Sequence, residues 1–141
     1  MKLMARFLIE KTIKNLKMKK NYTDSQLFVA STTLLSTLYN NVKNMAKDDK
    51  NLFGYEMVKN LRDSIQYFSQ SYNSTVLEEK YKYSKHAFFH IKNVEIILNS
   101  TLTIGILSPK QIIVIMESLG KIITQCFNWN KSLEEQLSKS K

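Results

Sequence analysis

The last third of the sequence carries the periodic pattern that most constrains the fold. From Ile112 onward, apolar residues recur at steps of three and four positions, which places them on one face of a long helix. The stripe consists of Ile112, Ile115, Met116, Leu119, Ile122, Ile123, Cys126, Trp129, Leu133 and Leu137. Because a continuous apolar face must be buried, this helix is expected to pack against other helices.

The start of the helix is marked by Ser108 and Pro109. A serine at the N-cap accepts a hydrogen bond from a free backbone amide, and proline has the backbone angle that the first helical position requires. Gln111, three residues after Ser108, completes a capping box. The segment 107–131 is therefore predicted to be helical from Ser108 onward.

The chain of 141 residues contains only three glycines and one proline. Strands joined by tight turns need more of these residues, so long helices joined by short polar loops are predicted. A chain of this length forms one domain with a single core. Its one cysteine, Cys126, lies in the apolar stripe and is predicted to be a buried thiol rather than a reactive one.

Four further helices are predicted upstream of this one. They cover residues 3–20, 23–47 with Thr23 as the N-cap, 52–72 and 76–100. Gly105, in the predicted loop 101–107, is a candidate for a positive φ angle. The side chains expected to face inward in the last three of these helices are Leu27, Leu34, Leu38, Val42, Met45, Phe53, Met57, Leu61, Ile65, Phe68, Tyr72, Leu77, Tyr81, Phe88, Ile91, Val94 and Leu98.

Similar helix lengths and short connections make neighbouring helices antiparallel. The predicted fold is all-α: an up-down-up-down antiparallel four-helix bundle over residues 23–137, with an extra basic N-terminal helix at 1–22 and a frayed tail at 138–141. No segment has the roughly 20 consecutive apolar residues of a membrane span, and no signal peptide is recognisable. A cytoplasmic protein with no membrane partner is expected.

The net charge of +9 is unevenly distributed. The first 20 residues hold seven basic side chains against Glu10 alone, whereas the remaining residues hold 14 basic and 11 acidic side chains. The seven are Lys2, Arg6, Lys11, Lys14, Lys17, Lys19 and Lys20. Concentrated positive charge is typical of a surface that binds phosphate backbones, and nucleic acid is the preferred partner. A merely solvated basic face and an anionic lipid surface are the alternatives.

A second basic cluster contains aromatic residues. Tyr81, Lys82, Tyr83, Lys85 and His86 could stack on bases and contact phosphates. The alternative is that Tyr81 belongs to the core and Tyr83 is an ordinary surface ring. The chain has only two arginines and no helix-turn-helix or zinc-finger pattern, so backbone-directed, salt-sensitive binding is predicted rather than sequence reading.

Patterns of catalytic or metal-binding residues are weak. His86 and His90 are four residues apart and would share a helix face, but no third ligand is evident. The sequence has no Glu-x-x-His pair of the di-iron type, no phosphate-binding glycine loop and no nucleophile elbow. A non-catalytic protein without a metal or cofactor is expected.

Several short motifs together resemble a known bacterial family of four-helix bundles. The motifs are Leu38-Tyr39, Phe53-Gly54-Tyr55-Glu56-Met57, Tyr81 followed by the 88–98 helix, Leu107-Ser108-Pro109 and Leu119-Gly120-Lys121-Ile122-Ile123. Over residues 34–131 the chain resembles the family that includes the accessory variability determinant of diversity-generating retroelements. The same family includes proteins encoded within intervening sequences of ribosomal RNA. The basic segment 1–20 is not part of the shared pattern.

The resemblance implies a non-catalytic protein that assembles as a homo-oligomer, a pentamer in the family. It implies binding to a reverse transcriptase and to its template RNA, with DNA as a second candidate nucleic acid, in support of mutagenic complementary-DNA synthesis. By resemblance, Lys121 matches the basic residue after glycine, Lys92 lies near a basic helix position, and Gly120 permits close helix approach. The alternative is a structural assembly protein of the ribosomal intervening-sequence type, without a polymerase partner.

The candidate nucleic-acid-binding residues therefore come from two arguments. Lys92 and Lys121 come from the resemblance, and the others come from charge alone. The full set is Lys11, Lys14, Lys17, Lys19, Lys20, Lys82, Lys85, Lys92 and Lys121.

Overall fold

The computed structural model describes residues 25–140, and within this range it is helical and contains no strand. The four long helices are α1 (Gln26–Lys43), α2 (Tyr55–Asn73), α3 (Leu77–Ile104) and α4 (Pro109–Lys139). A short turn, Lys47–Asp49, and a π-helical segment, Lys50–Gly54, connect α1 to α2. The predicted N-terminal helix 1–22 and Lys141 lie outside the described residues.

The beginning of α1 differs from the prediction. Its N-cap is Ser25, whose side chain accepts a hydrogen bond of 3.1 Å from the backbone amide of Phe28, so the predicted cap at Thr23 is wrong. Ser25 and Thr23 both precede the apolar pattern, and serine is as suitable a cap as threonine. Sequence alone did not distinguish two capping residues this close together.

Two other helix ends follow the predicted signals. Ser108 and Gln111 form a complete capping box at the start of α4, with Pro109 in the first turn. At the end of α3, Gly105 has φ of 85°, and its amide donates hydrogen bonds to the carbonyls of Thr101 and Leu102. Both predictions are confirmed, although α3 continues to Ile104, beyond the predicted end at residue 100.

The core is continuous along the four helices. In α4 the predicted stripe is confirmed, with Ile112, Ile115, Leu119, Ile122, Cys126 and Leu133 buried. In α3 the buried line consists of Ser84, Ala87, Ile91, Val94, Leu98 and Thr101. Phe88 is half-buried and packs against the core, as predicted. Tyr81, also predicted to face inward, is only half-buried, because the small residues Ser84 and Ala87 occupy the closest approach to the neighbouring helices.

Hydrogen bonds between helices define how α2 lies against α3. Ser71 Oγ donates to the carbonyl of Lys80 at 2.6 Å, and Ser64 Oγ donates to the carbonyl of Ala87 at 3.0 Å. Residue numbers fall along α2 as they rise along α3, so these two helices run in opposite directions where they touch. The small serine side chains allow the two backbones to approach, and each buried hydroxyl finds a partner.

Candidate nucleic-acid interface

Three of the predicted lysines share one side of α3. Lys85 follows Lys82 by three residues, and Lys92 follows Lys85 by seven. This spacing places the three side chains on the same helix face. Lys82 and Lys85 are exposed, and Lys92 is half-buried. The buried line of α3 occupies the opposite side, so core packing itself orients these ammonium groups outward. We call Lys82, Lys85 and Lys92 the α3 lysine face.

Two of these lysines lie over tyrosine rings. Lys85 Nζ is 4.6 Å from the centre of the Tyr81 ring, and Lys82 Nζ is 5.9 Å from the centre of the Tyr83 ring. Such contacts hold a cation by electrostatic attraction to the face of the ring while leaving it exposed. The two tyrosines thus position ammonium groups at the surface.

The predicted Tyr81–His86 cluster is divided between two sides of α3. Tyr83 and His86 stack on Tyr67 of α2, with ring centres 6.4 and 5.1 Å apart, and His90 joins them at 5.4 Å from Tyr67. Tyr81 takes no part in this stack. Successive side chains of a helix point in directions about 100° apart around its axis, so Tyr81 and Tyr83 lie on different sides of α3. The cluster is therefore not a single platform for bases.

Lys92 differs from the other two lysines because it is paired. Its Nζ is 2.6 Å from Oε1 of Glu95, one turn later on the same helix. No other lysine or arginine in residues 25–140 has a carboxylate oxygen within 4.0 Å. Lys82 and Lys85 consequently keep their full charge for an external partner, whereas that of Lys92 is partly neutralised.

The structure places Lys121 on a different helix from the α3 lysine face. It is exposed on α4, and Gly120 beside it is exposed too. Among residues 25–140, a Cβ added to Gly120 would meet nothing within 4 Å, so no helix of this range makes the close approach that was predicted at Gly120. The glycine lies outside the apolar stripe, on the solvent side of α4. The remaining candidates, Lys11, Lys14, Lys17, Lys19 and Lys20, lie outside the described residues.

His90 takes part in a hydrogen-bonded contact that the sequence did not indicate. His90 Nδ1 is 2.9 Å from Oδ1 of Asn60, which also accepts a hydrogen bond of 3.3 Å from Asn93. Asn60 donates to the carbonyl of Glu56 at 2.8 Å. Within residues 25–140, no three histidine, cysteine or acidic side chains are grouped as metal ligands. The hydrogen bonds of Asn60 with His90 and Asn93 connect α2 to α3.

Cys126 is fully buried, as its place in the stripe predicts. Removal from water raises the pKa of the Cys126 thiol far above its usual range, because the thiolate would have to form in an apolar surrounding. A protonated, inaccessible thiol is a poor nucleophile. The residue therefore acts in packing.

Comparison with known proteins adds no relative. No family model, no curated protein and no solved structure matches the chain. In the described part of the chain, none of the helices combines the length and apolar character that crossing a membrane requires.

Proposed function

We propose that this chain is a non-catalytic, oligomeric adaptor that binds nucleic acid. In the form that the motif resemblance favours, it is the accessory protein of a diversity-generating retroelement. It would bind the reverse transcriptase and the template RNA and support mutagenic complementary-DNA synthesis in the cytoplasm. The observation that carries the nucleic-acid part is the α3 lysine face, where Lys82 and Lys85 are exposed and have no carboxylate partner.

For the fold, we propose an up-down-up-down four-helix bundle preceded by a basic N-terminal segment. The opposite directions of α2 and α3 support this arrangement. Further support comes from contacts of α4: Ser84 hydrogen-bonds to Asn130, Phe88 packs on Phe127 with ring centres 6.5 Å apart, and Gln111 bonds to Asn41 at 3.0 Å. In such a bundle each helix keeps one outer face for partners.

Binding through lysines would be directed at the phosphate backbone. An ammonium group is a point charge, which suits phosphate oxygens but does not read base edges as arginine does. Within the described range the only arginine is Arg62. The proposed interface therefore combines the α3 lysine face with Lys121 and with the lysines at positions 11–20, without sequence reading.

Assembly into a homo-oligomer, a pentamer by resemblance, is supported by exposed apolar residues. Leu102 and Ile104 at the end of α3 and Ile113 and Val114 at the start of α4 are all more than 40% exposed. Large apolar side chains grouped around one loop are typical of surfaces that are covered by a partner. The same observation favours the alternative function, a structural assembly protein without a polymerase.

The two functions can be separated with variants matched in net charge. In one variant Lys82, Lys85 and Lys121 are changed to Glu; in the control Lys59, Lys131 and Lys139 are changed to Glu. The adaptor function predicts that the first variant loses RNA binding and retention by the reverse transcriptase–RNA complex, while the control keeps most of both. Equal affinity of the two variants for RNA would support the structural alternative. A third variant, Lys11, Lys14 and Lys17 to Glu, tests the basic segment separately.

A genomic observation tests the polymerase partner independently of any binding assay. A diversity-generating retroelement keeps its template repeat and its polymerase together, so a reverse transcriptase reading frame should lie beside this one. If no reverse transcriptase gene and no template repeat lie beside this reading frame, the polymerase partner is ruled out. RNA binding is then tested only by the charge variants.

A further inference from the structure

A small concavity lies where the end of α1 meets the beginning of α2, and none of its lining residues is among the nucleic-acid candidates named above. Its volume is about 180 Å³. Its lining consists of Tyr39, Val42, Lys43, Lys50, Tyr55 and Val58. We call it the α1–α2 pocket.

Two tyrosines form the exposed aromatic part of the pocket. Tyr39 and Tyr55 are each 57% exposed. Neither ring stacks on another ring and neither hydroxyl forms a hydrogen bond within residues 25–140, in contrast to Tyr67 and Tyr83 of the α2–α3 stack. Their faces are therefore free to receive a planar ligand, and aromatic side chains stack on any base because every base has a π-face.

The two lysines of the pocket are also unpaired. Lys43 follows Tyr39 by one helical turn, so both project from the same side of α1. Asp48 and Asp49 precede Lys50 in the chain, yet no carboxylate of the described residues lies within 4.0 Å of either lysine nitrogen. Two positive charges beside two open rings make a combination that suits a nucleotide, with its flat base and its phosphate.

The geometry of the pocket depends on the π-helical segment Lys50–Gly54. The amide of Tyr55 donates to the carbonyl of Lys50, closing one wide turn that puts these two residues above one another. Such turns are rare and occur frequently at functional sites. Gly54, at the end of the segment, packs against Val42 and brings the two walls of the pocket together.

We infer that the α1–α2 pocket holds one unpaired nucleotide of single-stranded RNA. The base stacks on Tyr39 or Tyr55 against the apolar floor, and Lys43 and Lys50 contact the flanking phosphates. A base inside a duplex does not expose its face, so the pocket selects single strands. This inference rests on the proposed RNA binding and adds a site that distinguishes single-stranded from paired RNA.

The test uses the full chain and two fluorescent RNAs, a short oligouridine and a duplex of the same length. Tyr39→Leu and Tyr55→Leu remove the ring and keep an apolar side chain, and Phe127→Leu is the control for an exposed ring elsewhere. At least one tyrosine variant should bind oligouridine about 5- to 140-fold more weakly, because stacking of one base contributes about 1–3 kcal/mol. Duplex binding by all variants should change by less than about twofold, since lysine contacts dominate it.

Different outcomes overturn different parts of the account. If the parent chain binds oligouridine and both tyrosine variants match it, the pocket inference fails and the proposed RNA binding stands. If the parent binds neither RNA, both fail. Circular dichroism of each variant checks that its helices are kept. Photocrosslinking of a thiouridine-containing oligouridine to the parent gives a second measurement: crosslinks should map to Tyr39 or Tyr55, and crosslinks confined to other segments would overturn the inference.

Discussion

A Cβ atom added to Gly54 would lie 2.6 Å from Cγ1 of Val42, closer than side-chain carbons approach one another in proteins. The π-helical segment and the end of α1 are thus in contact because residue 54 has no side chain. Valine is branched at Cβ and has few alternative rotamers, so it cannot easily turn away. Gly54 is the glycine that allows close packing in this fold.

Gly54→Ala should lower the free energy of unfolding by about 1–3 kcal/mol, because the added methyl group overpacks the contact with Val42. Gly120→Ala is the matched control: it should raise stability by up to about 1 kcal/mol, since alanine favours the helix and the site is open. Urea unfolding followed by circular dichroism measures both. Equal effects of the two substitutions would show that the Gly54 contact is unimportant.

The hydroxyl of Ser71 connects three helices. It accepts a hydrogen bond of 3.1 Å from Nε1 of Trp129 and donates one of 2.6 Å to the carbonyl of Lys80. Ser71→Ala should lower the free energy of unfolding by about 1–3 kcal/mol, because the indole N–H of Trp129 and the carbonyl of Lys80 lose their hydrogen-bond partner in a largely buried place. Ser69→Ala, on the same helix but half-buried, should change stability by less than about 0.5 kcal/mol.

Trp129 is the single tryptophan of the chain, so its fluorescence reports this contact directly. Ser71→Ala should alter the emission spectrum of the folded protein, and Ser69→Ala should leave it unchanged. Identical spectra for all three proteins would contradict the hydrogen bond between Ser71 and Trp129.

The burial of the Cys126 thiol predicts that the stability of the protein depends on pH in a specific way. Burial raises the pKa of its thiol in the folded state, whereas an unfolded thiol has a pKa of about 8.5. Above that value the unfolded chain loses the proton and the folded chain keeps it, so stability falls as pH rises. Below it the thiol makes no pH-dependent contribution.

The comparison of parent and Cys126→Ala isolates this effect from the titration of tyrosines and lysines. The free energy of unfolding of the parent should decline more steeply between about pH 8 and 10 than that of the variant. A thiol reagent should modify the parent only at the rate of unfolding. Parallel pH profiles, or rapid modification of the folded protein, would show that the thiol is accessible.

Because Lys92 is paired with Glu95, it should contribute less than Lys85 to RNA binding. Lys85→Gln should reduce the slope of RNA affinity against salt by about 0.7, the value for one phosphate contact with a single strand. Lys92→Gln should reduce it less, because Glu95 already neutralises part of the charge. A larger effect of Lys92 would mean that the ion pair opens on binding.

Local signals in the sequence predicted much of this fold. The capping box at Ser108, the positive φ of Gly105 and the burial of Cys126 each depend on residues within one or two helical turns, and each is confirmed. The helical character of the described chain follows from apolar spacing and from the scarcity of glycine and proline. None of these features requires knowledge of a neighbouring helix.

Features that depend on a neighbouring helix were not predictable in the same way. Gly120 lies next to the apolar stripe in sequence but faces solvent, whereas Gly54, which packs closely, follows a polar loop. The cluster from Tyr81 to His86 is continuous in sequence, yet helical rotation sends Tyr81 and Tyr83 to different sides of α3. The α1–α2 pocket joins residues from two helices and a π turn for which no sequence signal was evident.

The most direct test of the account is the salt dependence of RNA binding by the full chain. The logarithm of the association constant for single-stranded RNA, plotted against the logarithm of salt concentration, should give a straight line with a slope of about −2 or steeper. Such a slope corresponds to at least about three phosphate contacts. A slope near zero, or no binding at low salt, would contradict the claim that exposed lysines of this helical protein bind a nucleic-acid backbone.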